Sequence, residues 1–301
     1  MRIAVTGLAG QVVTSLMERA PREIELIALG RPQLDLTRRD AVISTLRAAR
    51  CDAIINAAAY TAVDKAESEP DIAMRVNADG AGYAAEAAAQ LGVPLLHLST
   101  DYVFDGTLDR PYREDDATGP TSAYGQSKLA GEQKIATLYA NHAILRTSWV
   151  YSPFGSNFVK TMLRLGESRA EVAVVADQIG SPTSALDIAD ALLAIAHRLR
   201  VDPAPDLRGV FHMTGTDVAT WADFAEWIFA EAQQHGRRLV RVHRIATRDY
   251  PTPARRPANS RLDNSKLQAV YRLSLPNWRE SASNCVARLC RSDFHSPRGS
   301  Q

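Results

Sequence analysis

Tyr124 and Lys128 stand four residues apart in the stretch SAYGQSKLAGE. On a helix that spacing puts both side chains on one face. An ammonium beside a phenol favours the phenolate and draws the phenol below its ordinary pKa of about 10. Such a tyrosine gives or takes a proton near neutral pH. No other tyrosine of the chain has a lysine four positions on. The pairing is common on helix surfaces and gains weight only from its company. In HLSTDYVFDG an apolar run ends in the hydroxyls of Ser99 and Thr100. They fall at the carboxyl end of a strand, where open α/β sheets bind ligands. A hydroxyl there bonds a carbonyl or alkoxide oxygen, although Thr-Asp and Asp-Gly are also turn-forming pairs.

A third feature supplies a place for a dinucleotide. The run RIAV is followed by TGLAGQVV, a strand leading through Gly7 and Gly10 into a helix start. Gly7 permits a tight turn, and Gly10 lets the backbone approach a pyrophosphate at the helix N-terminus. Val13 occupies the position where a third glycine would bring helix and strand together. Either the first helix stands off the sheet, or small neighbours such as Ala4 or Ala57 make room. After the second strand the chain reads IALGRPQLDL, with no acid directly behind Leu29. Gly30 leaves space and Arg31 offers a cationic fork, which suits the 2′-phosphate of NADPH, with NADH still possible. Asp35 and Leu36, where the chain re-enters, are expected near the adenine. In NAAAYTAVDKAE the loop Asn56–Thr61 follows another strand, and its alanines let a cofactor lie close to the backbone.

These groups need a scaffold, and the pattern supplies one. Candidate strands are Ile3–Val5, Ile24–Leu29, Ala53–Asn56, Leu95–Leu98, Ala143–Arg146 and Val172–Val175. Helical periodicity marks Ala41–Ala49, Ala73–Leu91, Ala185–Leu199 and Trp221–Ala232. Strands alternating with helices predict an α/β fold, a Rossmann-type doubly wound parallel sheet. Residues 1–150 read as the NAD(P)-binding domain. Residues 151–290 read mostly as a smaller C-terminal substrate-binding domain, with some segments returning to the first, and residues 291–301 as a frayed tail. Trp221, Phe224 and Trp227 at helical spacing read as core or interface rather than as a cofactor box.

Composition narrows the rest. The 301 residues carry 35 Lys and Arg against 34 Asp and Glu, which argues against nucleic acid or an anionic membrane as partner. The basic run Arg237–Arg244 is expected to be a solvated edge. No apolar run is long enough to span a bilayer, and the N-terminus lacks the pattern of a signal peptide. Cys51, Cys285 and Cys290 form no cluster, which fits a cytoplasmic protein. The histidine spacings suggest no catalytic metal.

With these motifs in hand, the chain resembles the extended short-chain dehydrogenase/reductase family. It is most similar to the members that reduce the 4-keto group of dTDP-4-dehydro-L-rhamnose with NADPH. The resemblance runs from about Arg2 to Arg288 and is carried by GLAGQV, NAAAYTAVDKAESEP, STDYVFDG, YGQSKLAGE, RTSWVYSPFGSNF and YPTPARRPANSRL. It implies Thr100, Tyr124 and Lys128 as the catalytic triad. Gly10, Gln11 and Val12 match the phosphate loop, and Ala59, Tyr60 and Thr61 the rim beside the cofactor. Thr100, Asp101 and Trp149 match substrate contacts. The two substrate phosphates suit the guanidinium forks of Arg255 and Arg256, with Asn157 as a further donor. Some members hold Mg2+ through acids at a dimer contact; here Ser15 and Leu186 stand at those positions, so a monomer or weak homodimer is expected. An epimerase or dehydratase on the same scaffold, and a non-catalytic dinucleotide-binding subunit, are the alternatives.

Overall fold

The computed structural model describes residues 1–293. The chain begins with β1 (Arg2–Thr6), α1 (Gln11–Arg19), β2 (Glu25–Leu29), α2 (Arg39–Ala48) and β3 (Ala53–Asn56). Two short helices follow, α3 (Val63–Ala66) and α4 (Pro70–Met74); a π-helical turn at Arg75–Asp79 then leads into α5 (Gly80–Leu91). Next come β4 (Leu95–Thr100), α6 (Ala123–Leu138), β5 (His142–Thr147), β6 (Val150–Tyr151), α7 (Phe158–Ser168) and β7 (Glu171–Val175). The remainder is β8 (Ile179–Gly180), β9 (Thr183–Ser184), α8 (Ala185–Val201), β10 (Gly209–His212), β11 (Ala219–Thr220), α9 (Trp221–Gln234), β12 (Arg241–Ile245), α10 (Ser265–Tyr271) and α11 (Trp278–Asp293).

Six strands form one parallel sheet in the order β10-β5-β4-β3-β1-β2. The order reverses beside β1, the crevice where such sheets take ligands. Both faces are covered, as buried parallel strands require. Alternation along β1 divides the core. Ile3 and Val5 join the cluster containing α1 and α8, while Ala4 joins the cluster of α2 and α5 on the other face. A third cluster gathers Tyr151, Phe224, Trp278 and the apolar faces of α7, α9 and α11.

Three expectations change. Val172–Val175 is a strand, but it pairs with Arg241–Ile245 in a separate two-stranded sheet. The basic run forms that second strand, and acids answer its charges: Arg241 and His243 bond Glu171, and Arg244 bonds Asp223. The helix expected over Ala73–Leu91 begins at Pro70 and carries the π turn. Residues 291–293 of the supposed tail continue α11, and the rest lies outside the described residues. Among the described residues no helix is long and apolar enough to cross a membrane.

Val13 is resolved by its neighbours. It is 1% exposed and packs with Ile3, Val5 and Leu16. Ala57 borders that cluster, but Ala4 faces away on the opposite side of the sheet, so it makes no room. Space comes also from Gly7, at φ +104°: a Cβ there would lie 3.2 Å from Val13 Cγ2. The missing side chain of the first glycine therefore accommodates the valine. Val13→Gly should destabilise the fold by about 3 kcal/mol, combining lost valine burial with glycine in a helix. Denaturant unfolding checks this, and a variant as stable as the parent would show instead that Val13 props the helix off the sheet.

Candidate active site

The glycine loop leaves β1 and turns at Gly7, whose N–H donates to the Leu29 carbonyl at 2.6 Å. Gly10 is the N-cap of α1, with no side-chain cap and no acid in the first turn. The first amides of that helix are thus without a side-chain acceptor and carry the positive end of its dipole. Nothing lies within 4 Å of where a Gly10 Cβ would be. A phosphate fits this cradle.

Beside the loop runs a groove of about 740 Å³, lined among others by Gly7, Gly30, Arg31, Asp35, Leu36, Ala59 and Tyr60. Six of the residues proposed for the cofactor from sequence, with Gly30 between them, thus border one cavity. Asp35 Oδ1 accepts from both the amide and the hydroxyl of Thr37, bonds that keep the carboxylate ionised, with Arg31 and Arg38 adding favourable charge. Tyr60 donates its phenol to Glu69, which pairs with Lys65. Thr61 is exposed on the same loop. These residues fit a dinucleotide.

Gln11 serves a second purpose. Its Oε1 accepts from the Ser152 hydroxyl at 2.8 Å and from Asn157 Nδ2 at 2.9 Å, tying the phosphate loop to the segment before α7. Asn157 itself is the N-cap of α7, and its amide donates to Gln11 Oε1, Ser152 O and Phe154 O. Its two amide hydrogens are engaged within the protein, so the expectation of a phosphate donor there gives way to a staple.

Tyr124 opens α6, capped by Ser122. It is half-buried, with its ring edge-to-face on Tyr102 at 5.6 Å. The Thr100 hydroxyl donates to Asp101 Oδ1 at 3.0 Å and caps the turn after β4 by accepting from Tyr102 N. Asp101 is 3% exposed and its Oδ2 has no protein partner. Burial lifts its carboxyl to about 6. Ser99 points elsewhere: its hydroxyl donates to Glu132 of α6, on the side away from Tyr102 and Asp101 that Thr100 faces.

The expected electrostatics of the pair is reversed. Tyr124 is pushed well above the ordinary phenol range by burial first and by the neighbouring Asp101 second, with the Thr100 hydroxyl opposing. Lys128 does not supply the lowering that helix spacing suggested, because its Nζ is turned to the Leu98 carbonyl at 2.6 Å and to His97 Nε2 at 3.2 Å. Burial brings Lys128 down to about 8, with Glu132 pulling the other way. Tyr124 therefore holds its proton firmly, as an acid rather than a phenolate.

Several positioning groups were not singled out in the sequence. Asn77, on the π turn, accepts from Tyr60 N and donates to Tyr60 O and to Ser127 Oγ. It locks the cofactor rim to the helix of Tyr124 and Lys128. Helix α6 approaches so closely that a Cβ on Gly131 would lie 2.3 Å from Asn77 O. Trp149, with φ +49°, stacks on Trp221 at 3.6 Å. One face of the residue matched to the sugar is thus covered by α9, and Trp221 is more than core. Phe224 is fully buried, and Trp227 packs on Trp278 and bonds Ser283.

The proline-rich loop borders a second cavity of about 760 Å³, with Asp105, Thr107, Tyr250, Arg255 and Arg256 on its wall. Arg256 pairs with Asp64 at 2.8 Å, while Arg255 is exposed with no ion pair among the described residues. Ser15 is buried, its hydroxyl on the Gln11 carbonyl, and Leu186 lies in the first turn of α8.

Residues 1–291 match the family described as the RmlD substrate binding domain. The chain is 54% identical over 289 residues to a dTDP-4-dehydrorhamnose reductase of Sinorhizobium fredii, covering 96% of this chain and 98% of the other. It is 44% identical over 296 residues to the enzyme of that name from Escherichia coli K12, again covering 96% and 98%. It also superposes on a crystal structure of dTDP-4-dehydrorhamnose reductase from Bacillus anthracis in complex with NADP. There the TM-score is 0.89 at 36% identity, over 95% of this chain and 99% of that one.

Proposed function

We infer, from the premise that the chain belongs to the RmlD substrate-binding-domain family, that it reduces the 4-keto group of dTDP-4-dehydro-L-rhamnose with NADPH, yielding dTDP-L-rhamnose. The observation that carries the reading is Thr100 at the carboxyl end of β4, with Tyr124 and Lys128 brought to that end on α6 and Lys128 Nζ on the Leu98 carbonyl. Relatives at 44 and 54% identity bear the reductase name rather than that of an epimerase, dehydratase or regulatory subunit. NADPH, when bound, supplies the hydride to the carbonyl carbon. The groove at Gly7, Arg31, Asp35 and Tyr60 holds its adenosine end and the amides after Gly10 its pyrophosphate. Arg31 and the absence of an acid directly after β2 favour the 2′-phosphate.

Tyr124 gives its phenolic proton to the carbonyl oxygen as the C–H bond forms. Thr100 steadies that oxygen, and Lys128 orients the ribose side and helps restore the proton to Tyr124. Trp149, backed by Trp221, forms a flat wall for the sugar. NADPH oxidation followed at 340 nm with the 4-keto sugar nucleotide, prepared by coupled upstream enzymes, tests the reading; absence of turnover refutes it.

The loop argininines divide the work at the diphosphate: Arg256 is set by Asp64, and Arg255 stands at the cavity wall. Arg255→Ala should raise KM for the sugar nucleotide about tenfold, the worth of one charge-assisted contact. Steady-state kinetics checks it, and a fall in kcat without a change in KM would remove Arg255 from binding.

A further inference from the structure

The loops that follow β1 and β2 meet at one contact. Gly30 comes directly after β2 and is buried, while Leu8, in the turn after β1, is 55% exposed. A Cβ on Gly30 would lie 2.7 Å from Leu8 Cγ, with Leu8 Cδ1 at 3.3 Å and Cδ2 at 3.5 Å as its next neighbours. Gly30 does not adopt a positive φ, so its backbone would admit a side chain. Leu8 stands in the place that side chain would take. Both residues line the groove of about 740 Å³, beside Arg31. In sheets of this kind a carboxylate directly after the second strand bonds the ribose hydroxyls of a dinucleotide and repels a 2′-phosphate. Here a leucine from the neighbouring loop fills that place instead.

We propose that the contact of Leu8 with Gly30 sets the choice of dinucleotide: Leu8 excludes any acid from the position after β2 and turns an apolar wall to the ribose, leaving Arg31 to take a 2′-phosphate. The inference rests on the reading of this groove as the NADPH site and names the residues that fix its preference. The ribose hydroxyls of NADH find no acceptor at that place. A phosphate on the 2′ oxygen adds charge that a guanidinium answers. The other ionised groups on the groove wall are engaged. Asp35 Oδ1 accepts twice from Thr37, and Lys65 pairs with Glu69, which also accepts from the Tyr60 phenol. Arg31 is exposed and forms no salt bridge among the described residues. An acid introduced at position 30 has to displace Leu8 before it can reach the ribose.

Dissociation constants for NADPH and NADH, from dinucleotide fluorescence without sugar nucleotide, test this. The wild-type protein should bind NADPH about tenfold more tightly, the worth of one charge-assisted contact. Gly30→Asp alone should weaken both dinucleotides about tenfold, because the displaced leucine crowds the groove. Leu8→Ala combined with Gly30→Asp removes the three atoms nearest that Cβ. It should return NADH to within about threefold of its wild-type affinity and reverse the preference to about tenfold for NADH. Should the aspartate variants not fold, Gly30→Ala and Leu8→Ala with Gly30→Ala carry the steric half, NADPH being weakened by the first and restored by the second. Equal affinity for the two dinucleotides in the wild type overturns the proposal, and so does a Gly30→Asp variant that binds NADH as tightly as the double variant. Failure of the wild-type protein to oxidise NADPH with the keto sugar, with these affinities intact, would sink the reductase reading and leave the proposal standing.

Discussion

Tyr124→Phe should lower kcat about a thousandfold, within the range for loss of a positioned general acid, with little change in sugar-nucleotide or NADPH affinity. The half-buried phenol is kept protonated by desolvation and by Asp101. An acid held this firmly is of no use against water, but the oxygen it serves becomes strongly basic as hydride arrives, and proton transfer then runs downhill. Phenylalanine retains the edge-to-face contact with Tyr102, so the site should keep its shape and lose only the phenolic proton. Single-turnover NADPH oxidation at saturating substrate isolates the step. A loss below about tenfold would mean that another group, with Asp101 at about 6 the nearest candidate, supplies the proton. In that case the residual rate would fall as pH rises through the Asp101 value, because only the protonated carboxyl donates.

The motifs were legible because each is local. Gly7 to Gly10, Tyr124 to Lys128 and the hydroxyls after Leu98 are short-range patterns, and the alternation of strands and helices fixes which end of the sheet they share. What the sequence concealed are relations between distant segments. Helix spacing correctly put Tyr124 and Lys128 on one face, yet it carries no information about the desolvation that raises one and lowers the other. Nor does it show that β4 offers Lys128 a carbonyl and an imidazole. The contact of Leu8 with Gly30 appears only once the loops after β1 and β2 lie side by side. Asn157 illustrates the same limit: its type suits a phosphate, but its position makes it the cap of α7 and the partner of Gln11. Val172–Val175 has the composition of a sheet strand, and only the chain path after β6 takes it to β12.

Glu132 and Arg146 provide the severest expected loss of stability. They lie 2.7 Å apart with side chains only 5% exposed, one on α6 and one on β5. Ser99 donates to Glu132, Arg146 Nε bonds the same carboxylate, and the guanidinium lies 5.0 Å over the Phe104 ring. The pair thus fastens the helix of Tyr124 and Lys128 to the strands that carry Thr100 and Thr147. Removing one member leaves the other charge in an apolar interior, which costs about 3–5 kcal/mol. Glu132→Gln and Arg146→Met should each show that loss in urea unfolding. The double variant Glu132→Leu with Arg146→Met should lose less than the sum, because no charge is then left without its partner. Strict additivity would mean that the two side chains contribute by packing alone. If either single variant lost under about 1 kcal/mol, the site would be water-accessible enough to solvate a lone charge, and the desolvation invoked for Tyr124 on the same helix would have to be reconsidered with it.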